Sequence, residues 1–282
     1  MNPKPHRDPK PSRLSRRKPL TIALGMIARD GIVIAADRQE TEGEHKKSQR
    51  KIESLWAMPV GALLVSGAGN GPYIDTMTEH LRHCFGTTQS KDYPKAMTDE
   101  FRAVHSAFYT EAVLPFAQFQ SYERPDYELL FGCSTDHHFL WYSHKLTLNQ
   151  VEAGYRAVGI GASAAESLLS KYYVMNLPLK IAIALAAYVV FEVKNSVEQC
   201  GFETDVMFTQ KDKPPSRMMQ PMIKKMEDAF LKFRLIERDE LYQCIGGGVV
   251  PYARKAKDWS KLRRDIRKIF DIFYHDFDAP PF

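Results

Sequence analysis

The chain has 282 residues, of which 44% are hydrophobic and 26% charged, a balance that excludes global disorder, collagen and low-complexity classes. Its longest uninterrupted apolar run, Ile181 to Phe191, spans 11 residues, well short of the roughly 18 that a membrane-crossing helix needs. With no secretory signal pattern, a soluble, cytoplasmic chain is expected. The net charge of +5 is uneven. Residues 1–19 carry seven basic side chains against Asp8 alone, with five prolines and almost nothing apolar. Such a segment cannot offset its ordering entropy and is expected to be disordered. Residues 254–268 hold eight Lys and Arg against Asp258 and Asp265. Cys84, Cys133, Cys200 and Cys244 are widely spaced, and reduced buried thiols are the plain reading.

In chain order, Thr21 to Ala28 and Ile32 to Asp37 read as strands around Asp30-Gly31, a strong hairpin signal. Both runs are nearly continuous in apolar residues, which predicts a sheet covered on both faces. Residues 38–50 are polar and read as a loop. Lys51 to Leu55 and Gly61 to Ser66 read as strands, the second broken by the glycine-rich run Gly67 to Pro72. Helices are predicted from Tyr73 to Cys84 and from Tyr93 to Leu114. Tyr127 to Cys133, Phe139 to Ser143 and Tyr155 to Gly159 read as strands. Ala162 to Tyr173 is helical, and Pro178 opens a very apolar helix ending near Asn195. Asp205 to Thr209 is a further strand. After Pro214-Pro215 come amphipathic helices over Met222 to Leu235 and Trp259 to Tyr274, the latter striped by Leu262, Ile266, Ile269 and Phe273. Strands that need cover on both faces, alternating with pairs of helices, pack most economically as two stacked sheets with a helix layer outside each.

The run from Thr21 to Asp37 resembles the opening hairpin of proteasome β-type subunits. Arg50-Lys51-Ile52-Glu53, Leu64-Val65-Ser66-Gly67, Tyr155 to Gly161 and Asp205-Val206 fall where that family has its later segments. The resemblance covers about residues 21–210. It implies an α+β fold, the four-layer αββα sandwich of N-terminal-nucleophile (Ntn) hydrolases. Residues 1–20 would then be a propeptide-like leader, 21–210 the Ntn domain, and 211–282 a C-terminal helical extension.

In active members the nucleophile is a threonine made N-terminal by propeptide removal, and the ungapped match places it at Thr21. A threonine hydroxyl needs a base to become nucleophilic, and a free α-amine, with a pKa of about 8, can serve. By the resemblance, Lys51 lies beside Thr21 and favours its deprotonated form, Asp37 holds Lys51 in place, and the Gly67 N–H faces the developing oxyanion. The chain departs from the family in three places. Leu20 rather than glycine precedes Thr21. Gly159-Ile160-Gly161 lacks the middle hydroxyl, although Ser163 is close by. Asn195 to Gly201 has Cys200 where the family has a serine. Ser163, Ser196 and Cys200 are therefore the supporting candidates near the terminal amine. No cofactor and no metal are implied.

Plainer readings stand beside these. Thr21 can be a strand threonine, Asp37 a turn cap and Lys51 a surface lysine. The glycine run before a helix lacks the Gly-Lys-Ser/Thr ending of a phosphate loop. His80, His83, Cys84, His137 and His138 lack zinc-ligand spacing. Gly246-Gly247-Gly248 reads as a flexible break. Three functions follow: a threonine-type peptidase or amidohydrolase acting on a peptide or protein substrate, a non-catalytic assembly subunit of the same fold, or a cationic module for nucleic acid or a membrane surface. The third is disfavoured, because the basic leader has no aromatic residue to stack on bases. The resemblance also implies a homo-oligomer, ring-like in the family, and leaves a partner ATP-dependent unfoldase open.

Overall fold

The computed structural model describes residues 21–42, 45–57, 61–87, 93–116, 127–144 and 147–244, together with 259–262, 264–265 and 267–268. In chain order the first elements are β1 (Ile22–Ala28), β2 (Gly31–Asp37), β3 (Gln39–Glu42), β4 (His45–Ser48), β5 (Ile52–Ala57) and β6 (Gly61–Gly69). Helices α1 (Gly71–Thr87) and α2 (Tyr93–Phe108) follow. Next come β7 (Tyr127–Ser134), β8 (His138–His144), β9 (Thr147–Gln150) and β10 (Tyr155–Gly159). The chain continues through α3 (Ala162–Tyr172), α4 (Leu179–Ser196), β11 (Thr204–Thr209), β12 (Ser216–Arg217) and α5 (Gln220–Cys244).

The strands form two five-stranded antiparallel sheets, ordered β10-β1-β2-β11-β12 and β5-β6-β7-β8-β9. The β1–β2 hairpin closes at Arg29-Asp30, with Ala28 opposite Gly31. Asp30 also accepts the Leu179 N–H at 2.8 Å, so the same turn caps α4. Gly31 cannot be larger, because a Cβ there would run into the Thr209 carbonyl on β11.

Three groups of buried side chains organise the interior. Ala23, Ile32, Ile34 and Ala36 of one sheet meet Leu64, Leu130 and Leu140 of the other, so the sheets face each other. The opposite face of β1 and β2 packs against α3, α4 and α5. The opposite face of β6 to β8 packs against α1 and α2. All seven residues of β2 are buried, the covering on both faces that its continuous apolar run predicts.

Several elements differ from the sequence reading. Residues 39–42 and 45–48 pair as a two-stranded ribbon, β3–β4, where a loop is expected. Its residues are polar and every position of β4 is exposed, so backbone pairing alone marks it. The helix expected to run to Leu114 loosens into a π turn over Tyr109–Val113 and tightens to a 3-10 turn over Leu114–Phe116, where Pro115 has no N–H to donate. β6 continues through Gly67 and bends only at Gly69, whose φ is +122°. β9 and β12 are short edge strands with no period to read. The C-terminal helix is present at its described positions, with Leu262 buried and Trp259 packed on Phe233. The leader, the Gly246-Gly247-Gly248 run and the remainder of the C-terminal stripe lie outside the described residues.

β12 has one long-range consequence. Arg217 pairs with buried Asp205 on β11 and donates to the Ile52 carbonyl at 2.5 Å. A residue of one sheet thus holds the start of β5 in the other.

Candidate functional site

Thr21 stands immediately before β1, Asp37 ends β2 and Lys51 precedes β5. The first two belong to one sheet and the third to the other, so the site exists only because the sheets face each other. Thr21 is 5% exposed and Asp37 fully buried. The Thr21 hydroxyl donates to Asp37 Oδ1 at 2.5 Å, and the Ile22 N–H reaches the same oxygen at 3.2 Å. Lys51 Nζ donates to Thr21 Oγ1, to Asp37 Oδ1 at 2.8 Å and to the Gln39 carbonyl. The Gly201 N–H, 164 positions beyond Asp37, donates to its Oδ2 at 2.9 Å. Both carboxylate oxygens therefore have donors, as a buried charge requires.

Burial lowers the pKa of Lys51, and the Asp37 carboxylate opposes that shift. The lysine is thus closer to neutral than a solvated one. Charged, it stabilises negative charge on Thr21 Oγ1; neutral, it can accept a proton. Ser66 Oγ donates to the Lys51 carbonyl at 2.9 Å and fixes its backbone.

The other predicted residues divide. Gly67 lies on β6 beside Ser66, buried, and opposes Leu129. A Cβ there would come within 3.0 Å of the Glu128 carbonyl and of Ile74. Cys200 is 3% exposed, next to Gly201. Burial first, then the Asp37 charge, pushes its thiol up to about 12, with Lys51 opposing. It is a neutral thiol at pH 7. Ser163 is exposed on α3. Ser196 turns its hydroxyl to the Glu192 and Val193 carbonyls of its own helix, at 2.9 and 3.3 Å. Neither serine makes a described bond to the Thr21–Asp37–Lys51 group.

Gly159 takes φ +92°, and a Cβ there would run into the Thr21 carbonyl. Its N–H donates to Glu128 Oε2 at 2.9 Å. The same Thr21 carbonyl accepts the Gly161 N–H at 3.4 Å. Gly159 and Gly161 therefore let the β10–α3 turn lie against the start of β1. Gln39, Ser66, Glu128 and Gly201 are the supporting groups that sequence reasoning missed. Gln39 sits in the polar run read as loop, yet its side chain is buried and donates to the Gln199 carbonyl at 3.0 Å.

Among the described residues, no group of three or more His, Cys, Asp or Glu side chains could hold a metal ion, and no helix is long and apolar enough to cross a membrane.

No protein-family model matches the chain. Solved structures do. Anbu, the ancestral beta-subunit, from Yersinia bercovieri superposes with a TM-score of 0.59 at 14% identity, over 82% of this chain and 100% of that one. The Anbu complex from Pseudomonas aeruginosa, solved as a helical assembly, gives 0.64 at 14% identity over 83% and 99%. Anbu from Hyphomicrobium sp. strain MC1 gives 0.59 at 14% identity over 82% and 99%. The likeness shows the fold: this chain has a proteasome-like fold of the Anbu kind.

Proposed function

We propose that the chain is a proteasome-like Ntn subunit, with its layers ordered α-β-β-α, in which Thr21 becomes an N-terminal nucleophile once residues 1–20 are removed. The observation that carries the reading is the position of Lys51. Its ammonium sits on Thr21 Oγ1 while Asp37 and the Gln39 carbonyl hold it there. In this reading the freed Thr21 amine, or Lys51 lowered by burial, takes the hydroxyl proton. Oγ1 attacks an amide carbonyl while the Gly67 N–H faces the oxyanion, the C–N bond breaks as the leaving amine takes up that proton, and water then hydrolyses the Thr21 ester to release the acid and restore the hydroxyl. The substrate class is a peptide or other amide, and the subunit acts in a homo-oligomer. Residues 211–282 are an extension of the domain, with α5 packed on its α4 side.

A second reading, an assembly subunit without turnover, is favoured by one observation. Ser163 is exposed and Ser196 is bonded within α4, so the hydroxyls that would orient a terminal amine are turned elsewhere. Intact mass with N-terminal sequencing separates the two. A chain beginning at Thr21 supports the hydrolase, and one retaining Met1 or Asn2 supports the assembly subunit. In a processed chain, Thr21→Ala lowers amide turnover by about a thousandfold or more with secondary structure unchanged. Lys51→Ala costs most of the rate, and turnover retained in either variant ends the threonine-nucleophile reading.

A further inference from the structure

Helix α5 buries one side and exposes a patterned other. Met222, Ile223, Met226, Ala229 and Phe230 enter the core. On the far side lie Lys224, Asp228, Leu231, Leu235, Arg238 and Tyr242, all exposed. Leu231, Leu235 and Tyr242 are 49%, 43% and 51% exposed, so this is an apolar line left open. The six positions step by four, three, four, three and four residues, which is the spacing of one seam of a paired helix.

The seam is also palindromic in chemistry. Turned end for end about its centre, Leu231 meets Leu235, Asp228 meets Arg238, and Lys224 meets Tyr242. Apolar faces apolar, negative faces positive, and an ammonium on a long stem faces a ring. We propose that a second copy of this chain packs antiparallel on this seam across a two-fold axis, along about 27 Å of helix. An isologous contact requires this self-complementarity; an unrelated partner does not. On one flank Lys225 falls opposite Asp239. Near the axis, the like charges Lys232 and Arg234 are already answered within their own chain, by Asp265 at 4.0 Å and Glu192 at 3.2 Å. Arg238 leans on Asp239 of its own chain at 3.4 Å, with both side chains about half exposed, a contact weak enough to yield.

The inference rests on the homo-oligomer reading above and names its surface; it is independent of the chemistry at Thr21. Sedimentation equilibrium of the full chain tests it. Leu235→Glu weakens self-association about a hundredfold, because the dyad counts the change twice, and leaves the circular dichroism unchanged. Asp228→Arg and Arg238→Asp each weaken it about tenfold by opposing like charges. Together they restore it to within about threefold, since residues ten positions apart on one helix can compensate only across two copies. If the combined variant is as weak as its parents, or if the variants leave the wild-type oligomer intact, this surface is wrong while self-association stands. If Leu235→Glu lowers the melting temperature of a chain whose mass does not change, the seam is covered within its own chain and the proposal falls. A wild-type chain that stays monomeric overturns both the surface and the self-association.

Discussion

Against β1 and β2 the chain lays α4, whose buried side chains are mostly small, Ala182, Ala186, Ala187, Val189, Val190 and Val193, beside the larger Leu179, Ile183 and Phe191. Against β6 to β8 it lays rings and long side chains: Met77, Leu81 and Phe85 of α1, and Met97 and Phe101 of α2 over Phe131 and Trp141. The Phe101 and Phe131 rings stack at 6.1 Å, and Phe131 and Trp141 at 5.4 Å. Small side chains let a helix sit close to a sheet, so that layer tolerates added volume poorly. A stack of rings fills space with a few large groups, so that layer tolerates lost volume poorly. Thr21 and Asp37 flank the strands under the tight layer. Lys51 and Gly67 lie on the sheet under the ring layer. The two layers therefore guard different halves of one site.

Truncating the ring layer gives the largest effect on stability. Phe101→Ala is expected to cost about 3–5 kcal/mol by chemical denaturation, while the fraction still folded keeps the Thr21–Asp37 geometry. A cost below about 1 kcal/mol would show that α2 collapses onto Phe131, and the contrast between layers would weaken. Ala186→Leu should cost less, about 1–3 kcal/mol. It pushes α4 off β1 and β2, and so it lowers any Thr21-dependent turnover in protein that is still folded. Unchanged turnover with reduced stability would show that β1 and β2 do not follow the helix.

The smallest effect sharpens the comparison by pH. His105 is buried in the ring layer, with Tyr127 Oη 3.2 Å from its Nδ1. Burial holds its pKa below 6.5 and pushes the Tyr127 phenol up to about 12. The folded imidazole is neutral, so below pH 6.5 the unfolded chain binds more protons and stability falls as pH falls. His105→Phe should flatten part of that slope while costing about 1 kcal/mol at pH 7 for the lost hydrogen bond. An unchanged slope would assign it to His138 of β8, which burial also holds low.

How much of this was legible follows from where each signal lives. The β1–β2 hairpin is local, written in Asp30-Gly31 between apolar runs, and it folds as read. The β3–β4 ribbon is not legible, because Gln39, Glu40, Lys46 and Lys47 carry no apolar face. The bend after β6 reads two residues early, since Gly67 is a strand residue kept small by Glu128 and Ile74, whereas the chain turns at Gly69, which has positive φ. Thr21, Asp37 and Lys51 stood out through a resemblance in spacing, and the structure brings them together. Gln39 and Arg217 had no such signal, and Gly201 lies in a run compared with the family without a role of its own. Their roles arise across 12 to 165 positions of chain, and a residue's neighbours in sequence do not announce them.

The reach of Arg217 and Gly201 also sets a clock. On a chain made from its N-terminus at about 5–20 residues per second, Thr21, Asp37 and Lys51 exist early, yet Asp37 lacks its Gly201 donor and β5 lacks its Arg217 anchor. The interval from Lys51 to Arg217 is about ten to thirty seconds at that pace. During it, Asp37 and Lys51 are an unfinished pair, and any peptide-bond chemistry at Thr21 waits until three quarters of the chain has been made.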